Sequence, residues 1–171
     1  MRIALLILGV IVLLIAAVVL TGYMLPKHHI ASRAAIFRAT PDQLFALIAS
    51  QQNWRPDVLH AELDNGPNGQ RLLRETTRDG NKMTYAITAA NPPNSLTRTI
   101  IGKNLPFDGS WTYTLTPTPN GTTVRIVEDA NIYNPVFRFM SRFILGYTGS
   151  MDKYLQALAA ATGQPHVDPT N

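Results

Sequence analysis

Residues 134–163 constrain what this chain can fold into more than any other stretch. Apolar side chains recur at Val136, Met140, Ile144, Tyr147, Met151, Leu155 and Leu158, the three-and-four step of one face of an α-helix. Phe137, Phe139, Phe143 and Tyr154 widen that face beyond a narrow seam. Asn134 is a good N-cap, and Pro135 suits the first helical position, where its missing N–H costs nothing. Gly163 followed by Pro165 is the matching stop signal. The pattern predicts one long helix that needs a large apolar surface to lie against. Gly146 and Gly149 fall inside it, each costing about 1 kcal/mol relative to alanine. They mark a bend that leaves room for a ligand, a close approach to a strand, or a plain break.

The surface for that helix comes from what precedes it. Strand candidates run over residues 29–38, 57–64, 70–78, 82–90, 95–103, 109–116 and 122–130. They are separated by turn signals: Asn65-Gly66-Pro67-Asn68-Gly69, Asp79-Gly80, the two prolines Pro92 and Pro93, and Asn120-Gly121. Connections this short make the strands antiparallel. Alternation places Leu59, Ala61 and Leu63 on one side and Val58, His60 and Glu62 on the other. It groups Met83 with Tyr85 and Ile87, and Trp111 with Tyr113 and Leu115. Between the first two strands, Thr40-Pro41-Asp42-Gln43 is a capping box with proline at its first helical position. It opens a short helix with Leu44, Phe45, Leu47 and Ile48 as its apolar face, ending at Ser50-Gln51-Gln52-Asn53. Residues 164–171 form a polar, proline-bearing tail expected to be mobile.

At the other end, residues 3–20 carry no polar side chain and contain fourteen Leu, Ile or Val. At roughly −0.4 kcal/mol each, insertion is favoured by about 6 kcal/mol, enough for a single span. Tyr23 and Lys27 stand where an interfacial aromatic and a headgroup-reaching cation belong. A cleaved signal peptide has a shorter apolar region and a small-x-small site; Thr21-Gly22-Tyr23-Met24-Leu25 offers none. Residues 1–25 are therefore expected to be an uncleaved transmembrane anchor, with residues 26–163 as the domain. Arg2 favours a cytoplasmic amino terminus, against Lys27, Arg33 and Arg38. The expectation is a single-pass protein with its domain outside the cytoplasm, in the periplasm.

Composition removes several functions. The net charge of +4 is modest and the basic residues are scattered, so no nucleic-acid surface is expected. With no cysteine and four histidines, of which His28 and His29 flank the membrane segment, His166 lies in the tail and His60 faces outward beside Glu62, no metal centre is expected. No nucleophile–base spacing or phosphate-binding glycine loop occurs, and no cofactor is expected.

Several local motifs accompany this order of elements: Ala39-Thr40-Pro41-Asp42-Gln43-Leu44-Phe45 with the following Trp54, Gly109-Ser110-Trp111-Thr112-Tyr113, Gly121-Thr122-Thr123-Val124, and Asn134-Pro135. Together they resemble the START-like or polyketide cyclase/dehydrase-like (SRPBCC) superfamily, in its membrane-anchored bacterial form. The resemblance implies an α+β helix-grip fold, a curved antiparallel sheet around the C-terminal helix, with an apolar pocket between them. The superfamily includes cyclases, lipid carriers and hormone receptors, so fold alone does not give chemistry.

Among ionisable groups, Glu128 stands out, because it shares its strand face with Val124 and Ile126. Pointing inward it is an acid, a base or a polar anchor; at a relaxed strand end it pairs with an arginine at the rim. Arg98, in phase with Leu96 and Ile100, is its candidate counter-charge or a headgroup receptor. Tyr85, Trp111 and Tyr113 offer aromatic walls with polar tips. With Met140, Ile144 and Tyr147 from the helix stripe, these form the candidate ligand-binding set. Arg138 and Arg142 read as a solvated helix face or as contacts to anionic lipid. The expected function is binding of a hydrophobic small molecule or lipid near the bilayer, without covalent chemistry. A cyclase- or dehydratase-like enzyme and a protein-interaction module are the alternatives.

Overall fold

The structure, a computed structural model, describes residues 2–50 and 54–171. Ten elements position the pocket. They are α1 (Arg2–Met24), β1 (His28–Phe37), α2 (Pro41–Ala49), β2 (Val58–Asn65), β3 (Arg71–Thr77), β4 (Lys82–Asn91), β5 (Ser95–Ile101), β6 (Phe107–Thr118), β7 (Gly121–Ile132) and α3 (Pro135–Met140). A π-helical turn over Ser141–Leu145 and a final helix, α4 (Gly149–Ala161), complete the chain. The strands form one antiparallel sheet of seven in the order β1-β7-β6-β5-β4-β3-β2. It is the helix-grip α+β fold. The Thr40 capping box forms as expected, its side chain accepting from the Gln43 N–H while Gln43 accepts from the Thr40 N–H. Of the expected stop after that helix, residues 51–53 lie outside the described residues.

The core lies between the sheet and two helices. Leu44 and Ile48 of α2 and Met151, Leu155, Leu158 and Ala159 of α4 are buried against Phe37, Leu96, Tyr113, Leu115, Val124 and Ile126. On β2 a bulge between Val58 and His60 changes the phase. Val58 turns in and Leu59 turns out, while Ala61 and Leu63 remain partly covered, since one extra residue exchanges the faces of a strand.

Three expectations need correction. Residues 134–163 are not one helix. Asn134 caps α3 through Phe137, and Pro135 takes the first position, but the chain widens into a π turn and breaks at Gly146 (φ 73°, ψ 164°). That backbone region is essentially reserved for glycine. The break leaves Val136, Phe137, Phe143 and Ile144 exposed, and the part from Met151 onward is the one buried in the core against the sheet. The far end stops as expected: Gly163 N–H donates to Ala160 and Gln164 N–H to Ala159, a Schellman motif. Nor is the tail free. Val167 is buried, Gln156 donates to its carbonyl, and Thr170 exchanges two backbone hydrogen bonds of 2.8 Å with Ala34.

α1 is one apolar helix of 23 residues, long enough to cross a bilayer, and residues 2–17 are exposed. Its last turn meets α3 so closely that a Cβ on Gly22 would lie 1.9 Å from the Pro135 carbonyl oxygen. Arg138 is the third correction. Instead of facing solvent or lipid it is buried, donating from Nη1 to the Leu25 carbonyl at 2.7 Å and lying over the Tyr23 ring. A cation at a helix C-terminus meets both the orphan carbonyls and the negative end of the dipole.

Candidate functional site: a two-ended cavity under the broken helix

Between the concave sheet face and the π turn lies a cavity of about 330 Å³, within the range of small-molecule sites. Met83, Ile100, Phe107, Ala130 and Ile132 supply apolar wall, and polar groups gather at two places. A wider groove of about 1050 Å³ along α4 shares Arg55, Trp111, Ser141, Gly146 and Ser150 with the cavity. The break at Gly146 is thus the mouth.

The first polar group is assembled by strand register. Trp111 and Glu128 are directly paired across β6 and β7, and His29 is diagonal to Glu128 because Ala31 is its partner on β1. The Trp111 indole N–H donates to Glu128 Oε2, and His29 Nε2 lies 2.8 Å from Oε1. Tyr147 stacks on the imidazole, centroids 4.2 Å apart. Both carboxylate oxygens are therefore engaged inside the protein, and the expected arginine partner of Glu128 is replaced by a histidine. His29 Nδ1 is buried without a hydrogen-bond partner among the described residues.

The second group surrounds Arg98, which is only 6 % exposed. It is diagonal to Tyr113, over whose ring its guanidinium lies at 5.7 Å, and it donates to the Ile48 carbonyl. Its Nε has no partner among the described residues. Neighbouring Arg55 is differently placed: it is held by both oxygens of Glu75, at 3.0 and 3.2 Å, and by Asp57 at 2.7 Å. That hydrogen bond from Arg55 lowers the Asp57 carboxyl below its ordinary range. Arg55 is thus neutralised locally, whereas Arg98 has no ion pair among the described residues. Around them Tyr154 packs edge-on to Trp54 and Trp111 and 5.3 Å from Tyr113. Burial raises the phenols of Tyr113 and Tyr154, and burial followed by Glu75 raises Tyr85 to about 12. At neutral pH these phenols are protonated, and Tyr85 forms part of the cavity wall.

Of the eight residues singled out in the sequence, Tyr85, Arg98, Trp111, Tyr113, Glu128 and Tyr147 line the cavity. Met140 and Ile144 do not. Met140 is half-buried in α3 and Ile144 points outward, because the π turn rotates the stripe away from the sheet. His29 and Arg55 were missed. His29 shares the phase of Ala35 and Phe37 on β1, both buried, so alternation from those residues leads back to it. Arg55 follows α2 in an irregular segment with no period to read.

Comparison with known proteins follows this geometry. The sequence profile of the family described as polyketide cyclase / dehydrase and lipid transport matches residues 28–163. The chain belongs to this family. Among solved structures, one similar fold is the di-domain ARO/CYC StfQ from the steffimycin biosynthetic pathway, at TM-score 0.61 and 15% identity over 80% of this chain. The chain spans about half (51%) of StfQ. Norcoclaurine synthase from Thalictrum flavum aligns at TM-score 0.59 and 12% identity, covering 78% of this chain and 86% of that one. An uncharacterised protein from Rhizobium leguminosarum aligns at 0.60 and 15%, covering 80% and 95%. At these identities the likeness is one of fold. No curated protein matches the chain.

Proposed function

We propose that the protein is a membrane-anchored binding protein for an apolar small molecule or lipid with one polar end. The observation that carries this reading is the cavity: an apolar wall with two buried, unsatisfied nitrogens, His29 Nδ1 and Arg98 Nε, at its polar places. An apolar body leaves water against Met83, Ile100, Phe107 and Ile132. An acceptor or anionic end meets Arg98, a guanidinium without an ion pair among the described residues, which is costly to bury unless compensated. Tyr85 adds a neutral donor. The α1 helix tethers this cavity to the bilayer, where such ligands partition. In this reading Arg2 holds the amino-terminal end of α1 on the cytoplasmic side and the domain lies beyond it. The full chain, purified in mild detergent and extracted with organic solvent, is expected to yield about one equivalent of an amphipathic molecule by mass spectrometry. Arg98→Met is expected to lose it, with folding checked by circular dichroism. An extract without bound molecule, together with no binding of a fluorescent fatty acid, refutes the reading.

A specific observation favours an enzyme as the second reading. His29 and Glu128 form a histidine–carboxylate pair at the cavity wall, and such pairs orient an imidazole for proton transfer. Glu128→Gln separates the two: unchanged affinity with lost turnover favours catalysis, and weakened affinity favours a binding role.

A further inference from the structure

Resting on the anchored reading, we propose that the segment from Val136 to Leu145 lies in the lipid surface, so that the cavity's mouth opens onto the membrane rather than into bulk water. The anchor and this segment are one piece. The last turn of α1 touches α3 at Gly22 and Pro135, Arg138 closes the α1 C-terminus at Leu25, and the Ile132 N–H donates to Lys27 just past the helix. Only Leu25, Pro26 and Lys27 separate α1 from β1, a reach of about 10–11 Å. α3 is therefore fixed at the level where a span leaves the hydrocarbon.

What α3 and the π turn carry there suits lipid. Phe137 is 49 % exposed, Phe143 58 %, and Ile144 and Leu145 62 % each. Successive residues of a helical turn point in well-separated directions, so three adjacent exposed apolar residues mean that the π turn stands proud of the domain. α3 packs on α1, whose side chains are likewise exposed along residues 2–17, so what covers the one extends to the other. No Asp or Glu occurs from residue 130 to 151, while Lys27 and Arg142 are exposed cations beside the patch. This suits the anionic headgroups of a bilayer surface. Leu145 also walls the groove that continues through Gly146 into the cavity. A ligand thus passes from acyl chains to pocket along an apolar rim.

The chain has no cysteine, so single-site labelling of the full protein is clean. Ile144→Cys, Leu145→Cys, Leu13→Cys and Asn120→Cys carry an environment-sensitive NBD label in vesicles of phosphatidylcholine and phosphatidylglycerol. Asn120 is the contrast, since its hairpin lies at the far end of β6, about 36 Å from Phe107. Doxyl lipids are expected to quench the Ile144 and Leu145 labels several-fold more than the Asn120 label, most strongly at about 5–10 Å depth, as for an interfacial helix. Quenching at Leu13 with none at Ile144 or Leu145 overturns the rim and leaves the anchor standing. No quenching at any site overturns both. Self-quenching between labelled copies at Ile144, relieved by unlabelled chain and insensitive to doxyl lipid, puts a second copy on the patch and overturns the proposal.

Discussion

Two halves of one apolar stripe have opposite fates. From Met151 to Leu158 the stripe of α4 is buried against the sheet, whereas Val136, Phe137, Phe143 and Ile144 remain exposed beside α1. Composition does not separate them, since both halves are rich in large apolar residues. The break at Gly146 does, because it frees the first half to follow α1 while the second follows the sheet. An apolar stripe therefore reports that a surface needs covering, and not which solvent or element covers it.

The contrast can be broken in several ways. Alkali gives the largest effect. Tyr113 and Tyr154 on the gripped side, and Tyr85 at about 12, titrate above the ordinary value near 10 in the folded protein. The folded state thus holds protons the unfolded chain releases, so the stability they contribute is complete below pH ~10 and is lost as pH rises towards ~12. The part of the tyrosinate absorbance that comes from these buried phenols is expected to appear together with unfolding. Leu155→Ala, at a fully buried position, is expected to cost about 2–5 kcal/mol in denaturant unfolding. Gly146→Ala is expected to cost about 1–3 kcal/mol through its backbone conformation alone, as no atom crowds the site. Gly149→Ala, at helical φ and equally uncrowded, is expected to gain up to about 1 kcal/mol. Ile144→Ala is expected to change stability by less than about 0.5 kcal/mol. A cost at Ile144 like that at Leu155 would abolish the distinction between the halves.

Most of the fold was legible because its signals are local. All seven strands and their turns follow from alternation and from Gly, Asn, Asp and Pro at the corners, and the starts of α2 and α3 follow from their caps. The β2 phase was lost because a bulge leaves no mark in a pattern of eight residues. The long helix was over-read because Gly146 allows a break without compelling one. At the site, Trp111 and Glu128 were legible separately, but their pairing depends on register, and the His29 contact on a strand about a hundred residues away. Arg138 was misread for a similar reason. A cation on a short helix has no local sign that another helix ends above it.

The chain's last residues carry a consequence of their own. β1 is a terminal strand of the sheet, with β7 on one side only, and an open border of this kind invites pairing with a neighbouring molecule. The two bonds between Thr170 and Ala34, with Arg33 donating to the Asn171 side chain, occupy the middle of that border. Truncation before Thr170 should therefore leave ligand capture intact while making the protein sticky towards itself, turning a border guard of two residues into a seed for strand-by-strand aggregation.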